Sequence, residues 1–164
     1  MLRLHKAAKE FVDLKLPYAH GVTWDKKREC LWALGDFLYK LSYDGKKLSV
    51  KEKFALPLDD PTGHDLFPLR DEAKLLVSNN KALFLFDIAT SKFELISEIK
   101  WIKSASQHVD GTLWVAYPSG AEGMAGWQTD TVTRVRPAEP GKTFRNAGSK
   151  FYKARWWHHV NFSY

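Results

Sequence analysis

Five side chains carry the chemistry this sequence offers: His20, His64, Lys103, Lys153 and Arg155. Imidazoles titrate near neutral pH and, when neutral, can ligate a metal. Arg155 can fork onto a carboxylate, and lysines supply point charges. Brought together, two histidines and three cations make a pocket for an anion. The cations argue against a divalent metal there unless an anionic ligand bridges them. No other cofactor is indicated. Four more residues border the set. Asp65 can orient an imidazole or cap a turn, Gln107 and His108 offer polar donors, and Trp156 can stack on a sugar ring. Trp157 must face away from Trp156 if both lie in one strand.

What would bring these residues together is a repeat. Ala19–Leu48 and Gly63–Leu95 read as copies at a spacing of 44 residues, His20 to His64. Each copy runs from a histidine to an apolar segment, then to an alternating segment and a turn with Asp or Gly. A looser third copy starts at Trp101. Aligning the apolar segments on Leu31, Leu75 and Leu113 sets Lys103 opposite His20 and His64. The series 20, 64, 108 is then partly accidental, because the short Asp110-Gly111 turn leaves His108 near the far end of its strand.

A period of 40 to 50 residues made of short strands is the mark of a β-propeller, one four-stranded blade per repeat. The fold class expected is all-β, a partial propeller of about three blades plus one terminal strand. Blade one covers about 19–57, blade two about 63–100, blade three about 101–144, and the last strand about 150–157. In blade one the strands read His20–Asp25, Cys30–Leu34, Phe37–Tyr43 and Leu48–Leu56, with Asp44-Gly45 as a hairpin turn. A Gly-rich insertion, Pro118–Gly126, precedes the strand Trp127–Val135. Leu2–Leu14 is the best helical candidate, or else the final strand of a preceding blade. Propellers have four to eight blades. The chain therefore reads as the C-terminal half of a longer ring, or as one that a second copy completes.

Composition narrows the classes. Seven Trp, six Tyr and ten Phe suit strands. The formal net charge is +6, but the basic residues are scattered over turns rather than gathered on one element among aromatics, so nucleic acid is not the expected partner. The single cysteine, Cys30, lies in an apolar strand and excludes an intrachain disulfide or a cysteine zinc site. No apolar run is long enough to span a membrane, and the first eleven residues lack the apolar stretch of a signal peptide. Nucleophile-elbow, phosphate-loop, dinucleotide and zincin motifs are missing. His158-His159 is a poor chelating pair, since adjacent strand residues point apart, and Asn161–Ser163 matches a glycosylation sequon.

Four segments, His20–Asp25, Gly63–Pro68, Lys103-Ser104 and Phe151–Trp156, resemble in order the strands of an uncharacterised family of bacterial β-propellers, a domain of unknown function. The resemblance implies a secreted or periplasmic propeller associated with carbohydrate use, about twice this length. More distantly the chain is similar to oligogalacturonate lyases, propellers that hold a metal near the axis with histidines and a glutamine. Gln107 and His108 would extend that likeness.

These readings lead to a carbohydrate-associated binding propeller, its ligand an acidic saccharide held by His20, His64, Lys103, Lys153 and Arg155. Two alternatives stay open: a lyase or hydrolase on acidic oligosaccharides at the same site, or a protein-interaction scaffold. The bland alternative is that the histidines serve only to pack one blade on the next, and Trp24, Trp32 and Trp114 are expected in the core between blades.

Overall fold

The computed structural model describes residues 12–137 and 142–157. The His158-His159 pair, the sequon and most of the helical candidate lie outside the described residues. Val12–Leu16 form neither helix nor strand.

Twelve strands make three antiparallel four-stranded sheets, each in sequence order. The first holds β1 (Gly21–Asp25), β2 (Cys30–Leu34), β3 (Phe37–Tyr43) and β4 (Leu48–Ala55). The second holds β5 (Asp65–Pro68), β6 (Lys74–Ser78), β7 (Leu83–Asp87) and β8 (Lys92–Ser97). The third holds β9 (Ser104–Gln107), β10 (Leu113–Ala116), β11 (Thr131–Arg136) and β12 (Lys142–Arg145). The fold is all-β, arranged as consecutive blades that do not close. No helix among the described residues is long and apolar enough to cross a membrane.

The turns follow local chemistry. Asp44 Oδ1 accepts the Lys46 and Lys47 amides, and Gly45 takes the left-handed conformation that its hairpin requires. Blade three departs from expectation at its third strand. Gln128 N bonds back to Ala125 O and buried Asp130 takes the Arg145 guanidinium at 2.6 Å, so pairing with β10 begins only past Thr131.

Burial sorts the blades. In the middle sheet β5 is wholly buried, and β6 and β7 are buried except at one end each, because both faces are covered. Trp32, Leu34, Leu75 and Phe86 fill the layer between sheets one and two. Leu76, Leu85, Ala105 and Val115 fill the layer between sheets two and three. Cys30 is buried in the first layer, and that burial pushes its thiol pKa up. The outer face of sheet one is different. Val22 and Trp24 pair across it with Ala33 and Leu31, and among the described residues of the leading segment Leu14 and Leu16 pack against it. Trp24 is thus half exposed rather than in the core between blades.

The inner strands β1, β5 and β9 lie side by side, and one junction recurs between them. A Cβ on Gly21 would sit 2.8 Å from Leu66 Cβ. Asp65 Oδ2 accepts Ala105 N at 2.8 Å, and Ser104 Oγ accepts Ala154 N at 3.0 Å. In each case the first residue of one inner strand meets the second residue of the next. By this rule Ala154 holds the second position of a fourth inner strand. Among the described residues, however, 151–157 form no ladder: their backbone pairs at the Phe151–Thr129 bridge, and the hydroxyls of Ser104 and Ser106 bind the Ala154 and Trp156 amides.

Candidate functional site

His20, His64 and Lys103 each immediately precede an inner strand, and their amides make equivalent bonds. His20 N reaches Leu34 O at 2.9 Å, His64 N reaches Ser78 O at 2.8 Å, and Lys103 N reaches Ala116 O at 2.8 Å. Each acceptor ends the second strand of its blade. The register fixes all three side chains at one end of the inner strands, and they form a row there. The His20 and His64 rings meet edge to face with centroids 5.4 Å apart. Lys103 Nζ lies 3.0 Å from His64 Nε2.

His64 Nε2 also contacts Asn80 Oδ1. One ring nitrogen offers either an N–H or a lone pair. It can donate to Asn80 or accept from Lys103, so its proton has two competing arrangements. Nδ1 of the same ring is buried with no hydrogen-bond partner. Burial lowers the His64 pKa, with the nearby positive charge of Lys103 adding to the effect against the Asn80 contact. Burial also lowers the Lys103 pKa, assisted by Lys153. His20, by contrast, is exposed, and its Nδ1 hydrogen-bonds with Tyr18 O at 2.6 Å.

The terminal segment delivers Lys153 and Arg155 to the same place, but to a carboxylate. Asp65 is buried, and its Oδ1 takes both Lys153 Nζ at 2.8 Å and Arg155 Nη2. Lys153 also donates to His64 O at 3.0 Å. With Oδ2 on the Ala105 amide, Asp65 brackets three successive inner segments. Lys103 differs: among the described residues it makes no salt bridge, and its ammonium sits 5.8 Å from the Trp101 ring centroid. Three cations against one carboxylate leave the cluster with a positive excess.

A concave surface of about 640 Å³ opens at the His20 end of the row, lined by His20, Gly21, Leu66, Lys153 and Arg155 together with the apolar outer face of sheet one. The remaining expected residues lie elsewhere. Gln107 is at the opposite end of β9, where its Oε1 accepts Arg70 N at 2.9 Å. His108 is in the turn beyond, with Nδ1 2.9 Å from Asp110 Oδ1. At about 3.3 Å per residue, five residues separate it from Lys103 by roughly 16 Å. Trp156 follows them, packed edge-on to His108 and Trp114 at 4.5 and 5.6 Å. Among the described residues no cluster of three His, Cys, Asp or Glu side chains is placed to hold a metal ion. Sequence reasoning passed over Asn80, which a search for polar residues in the turn after the second strand would have found.

Comparison with known families gives one match, over residues 6–164, to a family of unknown function. The chain belongs to DUF6528. No curated protein matches it. In this DUF6528 chain the match runs through all three inner strands and the terminal segment, so the row and the Asp65 bracket both fall inside the family region.

Proposed function

We propose that the chain binds a carboxylate-bearing saccharide at the row of His20, His64 and Lys103. The observation that carries this reading is Lys103: a half-buried ammonium with no carboxylate partner among the described residues, 3.0 Å from the His64 imidazole, in a row whose His20 end borders an open concavity. Lys153 and Arg155, already bound to Asp65, supply field rather than free valence. A cation held partly out of water is stabilised when an anion arrives, which favours an acidic ligand over a neutral one. The test is titration calorimetry with a uronic-acid trisaccharide and a matched neutral trisaccharide at two salt concentrations. Expected is preferential binding of the acidic sugar, weakening with salt, and a loss of about 10- to 100-fold in Lys103→Ala. Equal affinity for both sugars, or an unchanged Lys103→Ala variant, refutes the reading.

A second reading is an enzyme, a lyase or hydrolase on the same acidic oligosaccharide. It is favoured by the two competing proton positions at His64 Nε2, where both neighbouring bases have lowered pKa values. As for partners, the segment 151–157 and the apolar outer face of sheet one are the surfaces that further blades, from a longer chain or a second copy, would cover. Those same surfaces are what a scaffold for other proteins would use.

A further inference from the structure

Two exposed aromatic rings occupy matched places that the row of charged residues does not explain. Tyr18 lies two residues before His20, and Trp101 lies two residues before Lys103. Tyr18 is 64% exposed and Trp101 51%. Both adopt left-handed backbone, with φ of +52° and +63°. For a bulky side chain this conformation is an outlier that persists only where the surroundings impose it. The surroundings do impose it. Tyr18 O is held by His20 Nδ1, and Trp101 N is held by Asn80 O at 3.0 Å. The residues that fix the two backbones are therefore members of the row or of its hydrogen-bonded shell.

Neither ring is spent on the core. Trp101 approaches Lys103 Nζ, and the residue after it, Ile102, is the one that enters the core. Glycine would fit both positions without strain, yet the repeat carries an aromatic at each. The Thr62 position of blade two, by contrast, carries no aromatic and is not left-handed. The two aromatics thus belong to the two ends of the row, Tyr18 through its carbonyl on exposed His20 and Trp101 through its ring near Lys103.

We infer that Tyr18 and Trp101 are aromatic platforms on which the sugar rings of an acidic oligosaccharide stack. The carboxylate of one residue then lies on Lys103, and a neighbouring ring reaches toward Tyr18. This deepens the proposed function and rests on it. The ligand class becomes an oligomer rather than a free anion, because platforms belonging to the two ends of the row address more than one ring. An apolar ring face against an aromatic supplies affinity without charge, so the two contributions separate experimentally.

The test titrates the full chain and its Trp101→Gly, Tyr18→Gly and Lys103→Ala variants with a uronic-acid trisaccharide and with succinate, which has carboxylates but no ring. Glycine relieves the left-handed backbone, so melting temperature should not fall in the first two variants. Expected is a loss of about tenfold in trisaccharide affinity in each glycine variant, with succinate unchanged, whereas Lys103→Ala loses both. Trp101→Phe should restore most of the affinity. If the glycine variants hold the trisaccharide as the wild type does while Lys103→Ala does not, the platforms are refuted and the anion site stands. A wild type that holds succinate but not the trisaccharide has the same meaning. A fall in melting temperature alongside the lost affinity marks packing and also overturns the inference. A wild type that holds neither probe removes both the platforms and the function they rest on.

Discussion

Removing the Asp65 carboxylate should release the terminal segment. The side chain is 1% exposed and accepts from three donors on two chain segments: the Ala105 amide, Lys153 and Arg155. In Asp65→Ala the Ala105 amide loses its acceptor inside the protein, at about 1–3 kcal/mol. Two charge-assisted contacts also go, but the Lys153 and Arg155 side chains keep 24% and 40% exposure and regain water, so their share is well below the value of a fully buried pair. Together the loss is about 1.5–5 kcal/mol, or roughly 3–20 °C in melting temperature for a domain of this size. In Asp65→Asn the amide oxygen still serves Ala105, and the loss should be about 1–2 kcal/mol. Urea denaturation measures the difference. Limited trypsin digestion measures the release, with cleavage after Lys153 and Arg155 rising in both variants. If Asp65→Asn melts as the wild type does and its terminal segment is equally protected, the bracket is not what holds residues 151–157 in place.

Two further outcomes are expected. The pKa of His64 is lowered in the folded state, so the unfolded chain takes up its proton first as pH falls. Stability from this group is complete above about pH 6.5 and is lost below it, and His64→Gln should flatten that part of the pH–stability curve measured by denaturation. Gly35→Ala should destabilise by about 1–3 kcal/mol in thermal melts, since its Cβ would fall 2.2 Å from Pro17 O, a backbone atom that cannot swing aside. A variant melting within 1 °C of wild type would show that the Pro17 carbonyl yields freely.

The strand plan was legible because it depends on local pattern. Blade one's strands fall within a residue of their expected ends, and the 44-residue spacing returns as equivalent amide bonds at His20 and His64. The substitution of Lys103 into the same slot was legible too, once the apolar strands rather than the histidines set the alignment. What escaped is long-range or conformational. Lys153 and Arg155 look like free cations in sequence, and nothing local reveals that a carboxylate some 88 to 90 residues earlier takes both. The left-handed backbone at Tyr18 and Trp101 is equally hidden, since neither residue type favours it. The expected last strand misled for a related reason. Its sequence suits a strand, but a ladder needs a second strand, and among the described residues its backbone meets the Thr129 bridge and two serine hydroxyls instead.

The recurring junction between inner strands has a consequence for how the molecule comes apart. Among the described residues the core layers join each blade to its sequence neighbours, so the chain behaves as a short one-dimensional array in which stability is a sum of blade and interface contributions. Blade two owns two interfaces, and blades one and three own one each. Local opening will therefore begin at the ends and run inward, and the amides of β6 and β7 will be the last to exchange. The row of His20, His64 and Lys103 spans all three blades. Its geometry is thus as durable as the weakest interface, and anything that binds along the whole row ties the array into one cooperative unit.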